Sequence, residues 1–250
     1  MIIRSITLNN YRLYEGNNTI VFNNYEDKNI CLISGENGFG KTTFLHSLLW
    51  CLYGRLITEV EAEVRKDIAN NGYNSFLKCN LNNNVRTHFE LMSDDDKERI
   101  KRHGYTPENE YLKTITTYYV AIEFVDVVIP SLPCTSLKVV RSYDMITEKE
   151  SVEILIDGVK NELTAEIGSE VFINDFILNK DIARFFFFDS EQIVAFAETN
   201  TSAEKKCLCS AYNEVLGVRK YEELKHNLEN VRLRLRKKSS DIESRERLIA

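Results

Sequence analysis

"SGENGFGKTT", Ser34–Thr43, is the stretch that decides how this chain reads. Gly35, Gly40, Lys41 and Thr42 fit the spacing G-x-x-x-x-G-K-[ST]. Glycines let the backbone curl so that successive N–H groups point inward at an anion. A helix opening at Lys41 adds the positive end of its dipole. The spacing gives Lys41 a reach to β/γ-phosphates, and the Thr42 hydroxyl a place on Mg²⁺. Asn37, Gly38, Phe39 and Thr43 lie in the same loop and are candidate phosphate contacts. A carboxylate beside phosphates is repelled, so Glu36 is expected to face out.

The flanks supply the context that such a loop requires. Asn29–Ser34 (NICLIS) is a short apolar run, read as a buried strand. Lys41–Tyr53 reads as a helix, with Phe44, Leu45, Leu48, Leu49 and Leu52 at helical spacing and Gly54 as its stop. Met1–Leu8 and Asn18–Phe22 read as strands. Residues 56–113 are polar and Asn-rich, and read as a variable insertion, helical in parts with mobile loops. Its cluster DDDKERIKR, Asp94–Arg102, reads as a solvated helix face. Residues 114–163 hold three β-rich runs separated by turn signals, an antiparallel meander. Glu166–Asp181 reads as helical and leads into RFFFFDSEQI.

Composition narrows the classes. With 250 residues, 43% of them hydrophobic, the chain can bury a substantial core. No apolar run reaches the roughly 18 residues of a transmembrane helix, and the N-terminus lacks a signal-peptide pattern. Six cysteines without framework spacing fit a reduced, cytoplasmic protein. The pair Cys207 and Cys209 lacks the further ligands that a zinc site needs. The four histidines are scattered, and no cluster of acids and histidines supports a nuclease.

The net charge is −6, which argues against a surface coated with nucleic acid. From Arg219 to Lys238, however, eight Lys or Arg stand against three Asp or Glu. In the same region Leu224, Leu228, Val231, Leu235, Ile242 and Ile249 fall on alternating three- and four-residue steps, with Lys238 and Arg245 at the skipped positions. A seam of period 3.5 reads as a coiled coil, against the alternative of one surface helix. The pattern runs on without a stop signal, so further chain is expected after Ala250.

Several segments together resemble one family. NNYR at Asn9–Arg12, NICLISGENGFGKTTFLHSLLWCLYG, the Phe-rich run FFFFDSEQI and EVLGVRKYEEL are similar to SMC-type ATPases, including RecF, RecN and DndD. The closest flavour is DndD, the ATPase of bacterial phosphorothioate DNA modification systems. The resemblance covers nearly all of the chain except 56–113. It implies an α/β fold, an ABC-type head lobe in which a P-loop core is joined to an antiparallel meander. Residues 1–212 would be the N-terminal part of the head, and 213–250 the root of a coiled-coil arm. Such heads bind ATP with Mg²⁺ and pair as an ATP sandwich. The signature motif and acidic strand come from the C-terminal half of the head.

The resemblance also assigns roles. Arg12 matches an arginine that touches nucleotide phosphates. The segment 185–193 matches the Q-loop, with Asp189 where glutamine is usual and Gln192 three residues on. Read from the residues alone, four apolar positions followed by Asp189 look like an acidic Mg²⁺ strand, and both readings stand. Lys41, Asp189 and Gln192 are the candidate catalytic residues, with Thr42 and Asp189 on the metal. No L-S-G-G-like signature occurs in the chain. ATP binding without efficient turnover is therefore expected. DNA is the expected partner of Arg232, Arg234, Arg236, Lys237 and Lys238, unless these face acids on a second coiled-coil strand. The resemblance implies a role in DNA modification-linked restriction, defence or repair. Two other functions compete. One is a self-contained P-loop enzyme using Asp189 as its Mg²⁺ carboxylate. The other is a non-catalytic module that ATP merely glues together.

Overall fold

The computed structural model describes residues 1–22, 30–129, 134–160, 162–180, 182–183, 187, 221 and 224–235. The chain falls into two compact units, Met1–Phe187 and Phe188–Ala250.

The first unit is built on one six-stranded antiparallel sheet, in the order β2-β1-β3-β4-β5-β6. Its strands are β1 (Ile2–Tyr11), β2 (Tyr14–Val21), β3 (Thr117–Val125), β4 (Ser136–Asp144), β5 (Lys149–Ile156) and β6 (Val159–Lys160). The meander forms as expected. The N-terminal hairpin adds to it through β1 on β3, with Ile6 opposite Ile122 and Leu8 opposite Val120. Period-two alternation sorts the side chains onto two faces. Tyr118, Val120, Ile122, Leu137, Val139, Arg141 and Tyr143 go to the buried face.

Helix α1 (Lys41–Tyr53) packs on that face against β3 and β4. The spacing of its leucines predicts a stripe, but burial goes almost all round after the first turn. Phe44, His46, Ser47, Leu48, Leu49, Trp50, Cys51, Leu52 and Tyr53 are all buried. The cause is a second layer: Tyr53 donates to the Leu178 carbonyl at 3.0 Å, and 173–177 also contacts the helix. Trp50 stacks on Tyr11 with centroids 5.7 Å apart and meets Tyr118 at 5.2 Å. Such pairs add about 0.5–1.5 kcal/mol each beyond area burial. The Cys51 thiol touches the Val120 carbonyl at 3.3 Å, and burial pushes its pKa up to about 12, so it is an inert core group.

The polar stretch after α1 is more regular than its composition implies. It forms α2 (Ile57–Val60), α3 (Ala62–Asn71), α4 (Tyr73–Cys79), α5 (Asn83–Glu90), α6 (Asp94–His103) and α7 (Lys113–Thr116). The loops expected there shrink to short links, because side chains cap the helices. Asn82 accepts from the N–H groups of Asn84 and Val85, and Ser93 from that of Asp96. The cluster from Asp94 is helix α6, acidic in its first turn and basic in its last, in accord with the helix dipole. After β6 come α8 (Glu162–Ile167), α9 (Ser169–Phe172) and a π-helical turn, Ile173–Ile177.

One expected strand is absent. Residues 30–34 of the apolar run carry no regular structure, and Ile30 and Leu32 are 88% and 87% exposed. A buried strand needs neighbours to pair with, and none of the described strands lies alongside it.

In the second unit, 224–235 is helical. Leu224, Leu228, Val231 and Leu235 of the apolar seam are all exposed, as are Arg232 and Arg234. Ile242 and Ile249 of the seam lie outside the described residues, as do Arg236, Lys237, Lys238 and Arg245. Among the described residues no helix is long and apolar enough to cross a membrane.

Candidate functional site

The glycine-rich loop has the backbone that its sequence calls for. Gly38 and Gly40 sit at φ +89° and +90°, where a side chain would be strained. Gly40 is the N-cap of α1, and no side chain caps that end. The first N–H groups of the helix thus lack intrahelical acceptors and face outward with the positive end of the dipole. No acid occupies the first turn. Lys41 and Thr42 are exposed there, Thr43 is half-buried and Phe39 is exposed. Asn37 and Glu36 are exposed as well.

Lys41 folds back over the loop. Its Nζ donates to the carbonyls of Gly35 at 2.5 Å and Glu36 at 2.8 Å. An ammonium has three donors, so one remains for an anion lying in the loop. The Thr42 hydroxyl stands beside it in the first turn, and a hydroxyl oxygen is a hard ligand suited to Mg²⁺. An uncapped helix start, a lysine over curled backbone and an accessible hydroxyl fit a polyphosphate with its Mg²⁺. The metal would neutralise phosphate charge when bound. The groups of this chain hold and orient that charge.

The β1–β2 hairpin forms one wall of the loop. Tyr14 donates its hydroxyl to the Gly40 carbonyl at 3.2 Å. Burial raises the Tyr14 pKa, which keeps that donor protonated. A Cβ on Gly40 would meet this hydroxyl at 3.3 Å and Leu13 at 3.4 Å, so the hairpin and loop are in close contact. Arg12 lies at the tip of the same hairpin, two residues from Tyr14. Its Nε donates to Asn80 Oδ1 at 2.7 Å, and its guanidinium lies 5.6 Å from the Phe76 ring centre. Sequence reasoning misses Tyr14, Phe76 and Asn80 as site residues, and no local signal points to them, since their contacts reach across 26 and 68 positions.

Asp189 and Gln192 lie outside the described residues. Of their Phe-rich segment Phe187 is described; it packs against the core and donates its N–H to the Ala183 carbonyl. Among the described residues no cluster of three or more His, Cys, Asp or Glu could hold a metal. A groove of about 850 Å³ opens on the other face of the sheet, lined by Tyr119, Lys138, Ser142 and Ser151 among others, away from the loop.

The far end of α1 is fixed by a buried charge. Arg141 is 1% exposed; its Nε donates to the Cys51 carbonyl at 3.0 Å and its Nη1 to Glu150 at 3.0 Å. Glu150 also accepts from the Tyr73 hydroxyl at 2.9 Å. Gly54 ends the helix at φ +51°, and a Cβ there would run into the Arg141 guanidinium. One helix thus presents an open positive end to solvent while a cation neutralises its negative end.

No curated protein matches this chain. A family model described as an AAA domain matches residues 5–249, and the match spans the loop, the insertion, the sheet and the C-terminal segment. With nearly the whole length accounted for in one match, this chain belongs to that family of AAA/SMC-type ATPase domains.

Proposed function

We propose that this chain is the ATP–Mg²⁺-binding N-terminal part of an SMC-like head that closes with a second head around ATP and acts on DNA. In this reading residues 1–212 are head and 213–250 the root of its arm. The observation that carries the nucleotide reading is the loop itself. The uncapped start of α1, the positive-φ glycines and the position of Lys41 over the loop carbonyls make a receptor for phosphate charge.

Lys41, Asn37, Gly38, Phe39, Gly40, Thr42 and Thr43 hold the phosphates, with Thr42 on Mg²⁺ and Arg12 reaching in from the hairpin. Asp189 and Gln192 orient the attacking water, Asp189 as Q-loop substitute or as second metal ligand. The remaining parts come from the C-terminal half of the head, since no signature motif occurs in these 250 residues. The exposed apolar run at 30–33, beside the loop in sequence, supports that reading: it carries no regular structure, and a further chain segment would give it the neighbours that a strand needs. The exposed seam Leu224–Leu235 supports pairing with a second arm strand. Arg232, Arg234, Arg236, Lys237 and Lys238 then meet DNA phosphates without sequence preference. The likeness of FFFFDSEQI to DndD favours a role in DNA modification-linked restriction or defence, with repair as the related alternative.

The test is ATP binding and ATP turnover measured in parallel, on this chain and its Lys41→Ala variant. Loss of one charge-assisted contact predicts binding roughly ten- to a hundredfold weaker. Binding that needs Lys41, with little turnover, is the expected result. Vigorous turnover by the monomer would overturn the composite-head reading, and binding indifferent to Lys41 would overturn the nucleotide reading.

A further inference from the structure

We propose that the helical insertion positions the nucleotide site: Asn80 and Phe76 hold the Arg12 guanidinium so that its two free amino groups face a phosphate. The inference rests on the nucleotide reading of the loop.

Arg12 sits on a hairpin tip whose backbone is strained and braced from outside. Asn10 and Arg12 are at φ +51° and +49°, a region that costs a non-glycine residue free energy and persists only when the surroundings impose it. The register of β1 and β2 shifts between Asn9 and Tyr11. The surroundings that impose the shape are the insertion. The Arg12 N–H donates to the Asn80 carbonyl at 2.7 Å, and the Asn82 N–H to the Asn10 carbonyl at 2.8 Å. Tyr11 bridges to Leu81 between them. The Asn82 side chain donates to the Arg12 carbonyl at 2.6 Å. Asn10 closes the other side, donating to the Thr114 carbonyl at 2.7 Å and accepting from the Gly16 N–H at 2.9 Å.

The side chain is held as firmly as the backbone. Asn80, fully buried, takes the Nε–H of Arg12, and the Phe76 ring lies against the guanidinium. Both partners leave the Nη1 and Nη2 groups without a hydrogen-bond acceptor among the described residues. Those two groups are the fork that binds phosphate oxygens in pairs. A guanidinium fixed by its edge and its face needs little ordering when an anion arrives, which is where pre-organisation gains affinity. The hairpin that carries it touches Gly40 through Tyr14 and Leu13, the two residues that follow Arg12, so the fork is carried on the element that walls the loop.

Asn80 is thus a positioning residue, acting through Arg12. The test is a double-mutant cycle in the 250-residue chain, with ATP and with inorganic tripolyphosphate, which has no base. Arg12→Ala and Asn80→Ala are each expected to weaken both ligands about tenfold. The double variant is expected to bind like Arg12→Ala alone. Phe76→Leu keeps an apolar side chain in the core and removes the ring beneath the guanidinium; it is expected to show the same non-additivity with a smaller effect. Where Asn80→Ala does not fold, the Phe76→Leu cycle decides. An Asn80 or Phe76 effect that persists undiminished in the Arg12→Ala background would overturn the proposal, as would tight binding by both variants. Binding that needs Lys41 and Arg12 but neither Asn80 nor Phe76 overturns this inference alone. Binding indifferent to Lys41 overturns the nucleotide reading and this inference with it.

Discussion

Replacing Arg141 by methionine isolates the contribution of a buried charge to the phosphate helix. The side chain is 2% exposed and serves two partners of different kinds. One is the last turn of α1, where the carbonyls of Cys51 and Leu52 have no intrahelical donor. The other is Glu150, whose side chain is 19% exposed. Removing one member of a buried ion pair costs about 3–5 kcal/mol, chiefly because the other charge is left stranded. Here Glu150 keeps its bond from Tyr73 and some access to water, which places the loss near the low end, about 3 kcal/mol. The stranded helix carbonyls add about 1 kcal/mol. Glu170, 53% exposed, contributes little. The expected total for Arg141→Met is about 4 kcal/mol, read as a lower urea midpoint at unchanged slope. If stranded charge is the cause, Glu150→Gln should destabilise the native protein yet partly rescue the Arg141→Met variant. A loss below about 1 kcal/mol, or a Glu150→Gln effect identical in both backgrounds, would refute the reasoning.

Three further substitutions test other parts of the fold. Gly54→Ala puts a side chain on a backbone at φ +51° and ψ −122°, which glycine alone adopts readily, and also displaces Arg141, so thermal melting should fall further than for alanine at open Gly72. Asp157 accepts from the Thr135 and Ser136 hydroxyls and N–H groups, which hold its carboxyl below the usual range. A depressed folded pKa gives stability that is present above the unfolded value of about 3.9 and is lost as pH falls through the folded one. Asp157→Ala should therefore lower the melting temperature at pH 7, with the gap closing in acid; a gap constant with pH would contradict the bonds. Leu32→Lys should change the unfolding free energy of this chain, read from urea denaturation, by less than about 0.5 kcal/mol, because Leu32 is 87% exposed; a larger loss would show it packed.

The parts of the molecule that are legible in sequence are those set by local rules. The phosphate loop comes from glycine dihedrals and a helix start, and Gly54 is the stop that it reads as. The meander comes from alternation, and its strands pair in chain order. The illegible parts depend on partners distant in sequence. Nothing in NLNNN, 80–84, announces that Asn80 meets Arg12 or that Asn82 pins the carbonyl of that residue, since the contacts span 68 and 70 positions. Polarity alone makes the insertion read as loosely ordered, yet its asparagines cap helices and close the hairpin. Asn serves both uses because one short side chain carries a donor and an acceptor.

The misread strand has its origin in the same distinction. Apolar character in NICLIS states that these residues are to be buried, while burial itself needs a second surface. Ile30 and Leu32 are exposed because β1 already has β2 and β3 as neighbours, and the described sheet turns its apolar face to α1 instead. The run lies immediately before the phosphate loop, so any segment that pairs with it also fixes the loop's entry. Under the composite-head proposal, nucleotide affinity and assembly would be linked: a partner that orders 30–34 would strengthen phosphate binding, and bound phosphate would favour the partner by the same factor. The hairpin holds the loop from one side, where Tyr14 and Leu13 meet Gly40, and the proposed partner would hold it from the other.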